Sequence, residues 1–347
     1  MTIKELARAL DLSITTVSRA LNGYGDVSEQ TRQRVLEAAR RLGYQPNPLG
    51  QRLRKGRTEA VGLVIPAPPG EFADPFFLEL AAGLGEGLSQ HGLDLLVTAC
   101  APGPEELRCY RRLVEGRRVD AVVLARTRRQ DERILYLAER GVPFVAHGRS
   151  SDVQHPFPYV DVDGTHGFYV AARHLLALGH RRIGIINAPQ ELNFSHHRFE
   201  GYRKALIEAG LPQEERLLVQ GDLTEEGGYR AMHRLLGAPD PPTAVLCAND
   251  LMAIGAMHLL REQGLRAGRD ISVIGYDDIP MARFTDPPLT TLRQPIRQAG
   301  RRLVKMLVSY MSGVAAEKLQ EVWLPELVLR GSAGPPGGRT DSARPDR

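Results

Sequence analysis

Along residues 3–10 the apolar side chains Ile3, Leu6, Ala7 and Leu10 fall three and four positions apart, the spacing of one helical face. Thr2 and Glu5 stand just ahead as Thr-x-x-Glu, a capping box. After the turn Asp11-Leu12-Ser13, a second helix is predicted over 14–22 with Ser13 as its N-cap. Val17, Ala20 and Leu21 point one way in it, while Thr15, Thr16, Ser18 and Arg19 point elsewhere. "GYGD" breaks the chain. Ser28 then caps a longer third helix whose buried side is Val35, Leu36, Ala39 and Leu42. "GYQPNP" stops that helix, and the short basic segment "LGQRLRKG" follows.

From about Glu59 the pattern changes. Short runs rich in Val, Ile and Leu ("AVGLVIP", "LDLLVTA", "DAVVLA", "VPFVAH", "RRIGIINA", "RLLVQGD", "TAVLCAND", "ISVIGYDD") alternate with amphipathic stretches such as "DPFFLELAAGLGEGLSQHG". Continuous apolar runs between helices predict parallel strands covered on both faces. About ten such strands divide best into two doubly wound lobes of similar size. A late helix, Ile296–Ser312, and "EVWLPELVLR" close the structure, and the Gly/Pro/Arg-rich residues 331–347 read as a disordered tail.

The charge is unevenly placed. The net charge of the chain is +4, yet residues 1–58 hold eleven Lys/Arg against five acids. That concentration suits a polyanion. Two helices, a tight turn and a third packing helix describe a helix-turn-helix unit whose second helix lies in the DNA major groove. Its hydroxyls and Asn22 suit phosphate oxygens, Arg19 suits a guanine edge, and Ile14 and Thr15 reach bases by apolar contact or one hydroxyl. A bare three-helix bundle with solvated hydroxyls is the alternative.

Cys100, Cys109 and Cys247 have no metal-ligand spacing and read as reduced structural thiols. No apolar run reaches the length of a membrane span and the N-terminus lacks a signal-peptide core, so a cytoplasmic protein is expected. "GLGEG" falls inside a predicted helix, and no Walker loop, G-x-S-x-G or H-E-x-x-H is present. No catalytic residue, metal or cofactor is assigned.

"TIKELARALDLSITTVSRALNG" and "VSEQTRQRVLEAARRLGYQPNPLGQRLRKGRT" resemble the head of a lactose-repressor-type (LacI/GalR family) transcription regulator. "HRRIGIINA", "RFEGYRKAL", "CANDLMAIGAMHLL" and "ISVIGYDDIPMARFTDPPLTTLRQP" resemble the effector domain of the same family. The resemblance implies a periplasmic-binding-protein-like effector domain and four segments. These are a DNA-binding head (1–45), a hinge helix (46–58), a two-lobed effector and dimerisation domain (59–330) and the tail (331–347). It implies phosphate contacts at Ser13, Thr16, Ser18, Asn22, Ser28 and Thr31, and base reading by Ile14, Thr15 and Arg19. Asn47, Gln51 and Leu53 match a hinge helix entering the minor groove, with Leu53 as a wedge between base pairs. Gly50 stands where the family usually has Ala, which weakens that short helix by roughly 0.5–1 kcal/mol. The partners implied are a pseudo-palindromic double-stranded operator, a second copy of the chain and a small-molecule effector, with no membrane.

Ligands of parallel sheets sit beyond the carboxyl ends of the strands. Asp277 follows "ISVIGY", Asn249 and Asp250 follow "TAVLCA", and Arg198 follows "RRIGIINA". Carboxylate, amide and guanidinium together suit a polyol such as a sugar, although at an arbitrary strand end residues such as Asp250 and Asp277 more often cap helices. By resemblance Arg198, Asn249 and Asp277 are effector contacts, with Phe76 and Phe77 lining the opposite lobe. Leu223 stands where family members often carry a stacking aromatic. Gly148 stands where an Asp is frequent, leaving His147 and Arg149 beside the cleft, and "FVAHGR" is similar to members that sense α-glucosides. A nucleobase co-repressor and a phosphocarrier protein are the alternative effectors. A sugar-binding protein or an enzyme on the same lobed fold is the remoter reading.

Overall fold

The computed structural model describes residues 1–44, 57–67 and 74–337, in two units that divide between Glu59 and Ala60. The hinge positions Asn47, Gly50, Gln51 and Leu53 lie outside the described residues.

In the first unit Thr2 and Glu5 close the expected capping box at the start of α1 (Ile3–Leu10). Ser13 Oγ accepts from Thr16 N (3.0 Å) to start α2 (Ile14–Leu21), and Ser28 Oγ accepts from Thr31 N (3.3 Å) to start α3 (Glu29–Arg41). Leu6, Ala7, Leu10, Val17, Ala20, Val35, Ala38 and Ala39 form the core. Ser18 departs from expectation. It is buried beside Val17 and Ala20, because it sits about 100° round the helix from Val17 on the side of Leu21, within the width of the packing stripe.

The second unit holds two six-stranded sheets among the described residues. The first contains β1 (Ala60–Pro66), β2 (Asp94–Cys100), β3 (Ala121–Ala125), β4 (Phe144–His147), β5 (Tyr159–Val162) and β11 (Gln320–Trp323). Its order is β11-β5-β4-β3-β1-β2, parallel throughout. The second contains β6 (Ile183–Asn187), β7 (Leu218–Gln220), β8 (Ala244–Cys247), β9 (Ser272–Asp277), β10 (Thr290–Arg293) and β12 (Glu326–Val328). Its order is β12-β10-β9-β8-β6-β7, with only β12 antiparallel. Helices α4 (Pro75–Ser89), α5 (Pro104–Glu115), α6 (Glu132–Glu139) and α11 (Ile296–Met311) serve the first lobe. The second has α7 (Gly164–Ala177), α8 (Asn193–Glu208), α9 (Glu225–Leu236) and α10 (Asp250–Glu262). The two doubly wound lobes are those the apolar runs predict. The strands left out of those runs, β5 and β10, are four residues long and carry Asp161 or Thr290, Thr291 and Arg293, so no apolar run marks them.

"GLGEG" finds its reason where α4 packs on α11. A Cβ on Gly83 would lie 2.1 Å from the Arg297 carbonyl oxygen and one on Gly87 2.9 Å from Val304, whereas one on Gly85 meets open space. Gly83→Ala therefore forces the helices apart and costs about 1–3 kcal/mol. Gly85→Ala leaves stability unchanged or raises it by about 0.5–1 kcal/mol. Urea unfolding of the two variants checks the contrast.

The expected tail disorder does not begin at 331. Ser332 is fully buried, its Oγ donating to Val273 O (2.6 Å) and accepting from Thr290 N (2.8 Å). Gly334 N donates to Ser272 Oγ (3.0 Å), and its carbonyl lies 2.8 Å from His180 Nε2. Glycine-rich composition suggested a free chain, but this backbone adds hydrogen bonds to the second sheet through residue 334. No helix among the described residues is long and apolar enough to cross a membrane.

Candidate functional site

The chain passes between the lobes three times, after β5, after β10 and after β11. The first and third passages are tied where Asp163 N donates to Trp323 O (2.8 Å). Beyond the carboxyl ends of both sheets, the lobes enclose a cavity of about 50 Å³. Seven of the eight predicted effector residues line it: Phe76, His147, Arg149, Arg198, Leu223, Asn249 and Asp277. Phe77 does not. It is buried in the core of the first lobe, beneath the Arg126 guanidinium at 4.9 Å, because its neighbour Phe76 occupies the cleft-facing side of the helix.

The lining groups come from strand ends and from the helices α4 and α8. Arg198, buried on α8, has its guanidinium 3.6 Å from the Tyr276 ring centroid and 4.4 Å from that of Phe194, and donates to the Ala248 carbonyl. Asn249 caps α10 by accepting from Met252 N (3.0 Å) and donates to Leu223 O (2.9 Å). Asp277 accepts from Gln294 Nε2 at 2.5 Å. Asp250 proves structural: fully buried, it accepts from Ile279 N and from the Thr291 hydroxyl. Two polar atoms of the lining, His147 Nε2 and Arg198 Nε, have no hydrogen-bond partner among the described residues. Buried polar groups are otherwise nearly always partnered, so a lining with free donor and acceptor capacity is built to receive a polar molecule.

The sequence reading missed Arg126, Thr127, Asp161, Asn193, Phe194 and Gln294, which also line the cavity. It could not see backbone strain either. Arg126 (φ 49°), Leu223 (φ 72°) and Asp277 (φ 120°) all hold the left-handed region at strand ends, where residues with a Cβ are uncommon. Such strain gathers where a scaffold must aim side chains.

Two of the three arginines facing the cavity are neutralised. Arg126 pairs with Asp74, and Arg149 Nε lies 2.5 Å from Asp161. Towards the rim the lobes are clasped by backbone. Arg129 N donates to Glu191 O (3.0 Å) and Asn193 N to Thr127 O (2.9 Å). Asn193 adds its side chain, donating to Arg149 O (2.9 Å) and accepting from Ser151 Oγ (2.5 Å). Arg126 and Leu223 are shared with an outer groove of about 1290 Å³, so the small chamber and the open groove form one continuous cleft.

Enclosure in the cleft pushes the Asp277 carboxyl up to about 8 despite the nearby Arg198 charge, and burial lowers His147 to about 4. Asp250, also raised by burial, titrates at about 6, and His197 is lowered to about 4. The folded chain thus holds a proton on Asp277 that an unfolded carboxyl, near 3.9, gives up. The stability this contributes is fully present below the unfolded value and is lost as pH rises through about 8. Between pH 7 and 8.5 the other three groups have finished titrating. Over that window wild type loses stability on the order of 1 kcal/mol relative to Asp277→Asn, a difference that urea midpoints across the two pH values check.

In the first unit, Ile14, Thr15, Arg19 and Asn22 are exposed on or beside α2, as base- and backbone-facing groups require. Ser13 pairs with Thr16 and Ser28 with Thr31, each hydroxyl pair 2.8 Å apart, at the N-termini of α2 and α3. Helix N-termini of this kind receive phosphate oxygens. Ser18 offers less than expected, since its side chain is in the core and its carbonyl accepts from Asn22 Nδ2 (2.5 Å).

Comparison with known proteins agrees with this division. The model "Bacterial regulatory proteins, lacI family" matches residues 2–47, and a "Periplasmic binding protein-like domain" matches residues 172–333. The HTH-type transcriptional regulator AglR of Rhizobium meliloti (strain 1021) is 44% identical over 99% of this chain and 97% of its own. The solved structure of a transcriptional regulator CelR–cellobiose complex is 35% identical with a TM-score of 0.74, covering 96% of this chain and 100% of that one. The Lac repressor dimer bound to operator and the anti-inducer ONPF is 27% identical with a TM-score of 0.81, covering 96% and 99%.

Proposed function

The chain belongs to the lacI family of bacterial regulatory proteins, and we propose that it is a transcriptional repressor whose hold on its operator is set by a sugar bound between the lobes. The head, 1–45, binds the major groove, and residues 46–58 link it to an effector and dimerisation domain. Two copies sit on a pseudo-palindromic operator in the bacterial cytoplasm, as the dimeric organisation of the operator-bound Lac repressor suggests. No cofactor takes part.

The observation that carries the sugar reading is the lining of the inner chamber. Asp277, which holds its proton at neutral pH, can donate to one hydroxyl and accept from another, Arg198 Nε and Asn249 donate, and His147 Nε2 takes either role with its tautomer. The pairing of Arg126 with Asp74 and Arg149 with Asp161 leaves Arg198 without a second cation beside it, too little positive charge for a phosphate. The cellobiose held by the CelR structure is a ligand of that chemistry. A chamber of about 50 Å³ is smaller than a sugar ring, so the clasp at Asn193 opens to admit the ligand and re-forms around it.

Thermal unfolding against neutral mono- and disaccharides, sugar phosphates, nucleobases and nucleosides tests this reading, with Asp277→Ala alongside. At a hundred times its dissociation constant a ligand adds about 2.7 kcal/mol, several degrees in the midpoint. A neutral sugar should shift wild type and not the variant. A shift from a nucleobase or a sugar phosphate instead overturns it, and no shift with any probe favours a protein effector.

A further inference from the structure

Arg19 does not stand free in the solvent. Its Nε donates to Asp26 Oδ1 at 3.0 Å and its Nη2 pairs with Asp26 Oδ2, a two-pronged grip on one edge of the guanidinium. The same group lies over the Tyr24 ring, 5.2 Å from its centroid. All three residues are exposed.

We propose that Asp26 and Tyr24 are specificity-determining positioning residues, which hold the Arg19 guanidinium in one orientation so that its opposite edge reads a guanine. The proposal rests on the DNA-binding reading of the head. A guanidinium carries five N–H groups in a fixed planar fork. Asp26 takes the Nε–H and one Nη2–H, leaving the second Nη2–H and both on Nη1. The end edge formed by Nη1 and Nη2 is therefore open, and it offers two parallel donors, the pattern that O6 and N7 of guanine accept in the major groove.

The loop that carries the two positioning residues is itself pinned. Tyr24 N donates to Arg19 O (3.1 Å), Val27 N to Tyr24 O (3.3 Å), and Arg32 Nη2 to the same Tyr24 carbonyl (2.9 Å). Asp26 and Tyr24 thus sit on a backbone fixed to both ends of the α2–α3 turn. Exposed ion pairs contribute little to folding, so a pair in this place has its consequence at the DNA. A long side chain already ordered gives up less freedom on binding, and a guanidinium that cannot swing loses more against a wrong base. A carboxylate so near a polyanion is unfavourable unless it serves such a purpose.

The test uses the full-length chain and a duplex site that the wild-type protein selects from a random-sequence library. Wild type, Arg19→Ala, Asp26→Asn, Tyr24→Ala and the double variant R19A/D26N are titrated against that site. They are also titrated against its single-base-pair substitutions. Asp26→Asn should weaken the selected site roughly three- to tenfold, with the discrimination lost at the base pair where Arg19→Ala loses it. Its melting temperature and its salt dependence should match wild type, and the double variant should bind no worse than Arg19→Ala. Tyr24→Ala should show the same positional loss at smaller size. An Asp26→Asn protein that binds as tightly and as selectively as wild type overturns the proposal, as does one that binds more tightly. Loss spread evenly over all positions overturns it too, since that marks a structural role. A wild-type chain that selects no sequence overturns the DNA-binding reading, and this proposal falls with it.

Discussion

An Arg198→Ala protein should lose sugar binding by up to about a hundredfold while binding its operator as wild type does without sugar. Hydrogen bonds from a charged donor contribute about 1.5–3 kcal/mol each, and Arg198 keeps one donor unpaired in the lining. Loss of that donor, at the upper end of this range, brings the expected change to about 3 kcal/mol. The side chain also fills the space between Tyr276 and Phe194, so the variant will melt somewhat lower. Arg198→Lys separates the two consequences, because a lysine restores charge but not the planar fork. Calorimetric titration with the sugar found by thermal unfolding gives the affinities. Both variants should remain on operator DNA when that sugar is added.

The second large effect is expected in the head. Arg19→Ala should weaken the selected operator at least about thirtyfold. One bidentate arginine–guanine pair is worth about 1–3 kcal/mol of discrimination, and a dimer on two half-sites loses it twice. Stability should not follow, because the Arg19 side chain is 45% exposed and its partners Asp26 and Tyr24 are exposed as well. Fluorescence anisotropy on the selected site and on an unrelated duplex measures the change. Affinity for the unrelated duplex should fall far less, since phosphate neutralisation dominates there. Equal losses on both duplexes would mean that Arg19 contacts only phosphate.

How far these residues could be read in advance follows from what leaves a mark in sequence. Helix starts were legible because caps are chemical: Thr2, Ser13 and Ser28 each hold the N–H that their spacing predicted. Strands β1, β3 and β8 were legible because burial on both faces demands unbroken apolar runs. Strands β5 and β10 were not, being short and interrupted by Asp161 in the one and by Thr290, Thr291 and Arg293 in the other. Phe76 and Phe77 looked alike as a pair, and only the helix phase separates the one in the cleft from the one in the core. Arg126, Phe194 and Gln294 carry no local motif, and two distant strand ends and the first turn of α8 bring them together. Left-handed backbone at Leu223 and Asp277 is a property of tertiary packing, so no residue type announced it. Asp26 and Tyr24 lay in a turn, where their types alone read as loop chemistry.

Coupling between the two units is the heart of the account. A sugar that lowers operator affinity must itself bind the operator complex more weakly, by the same factor. The measurement that tests this most directly is operator affinity of the full-length chain, by anisotropy at fixed salt, with and without the sugar that stabilises it. The account predicts a fall of tenfold or more in wild type and none in Arg198→Ala. An operator affinity unmoved by every sugar that binds the cleft would contradict it.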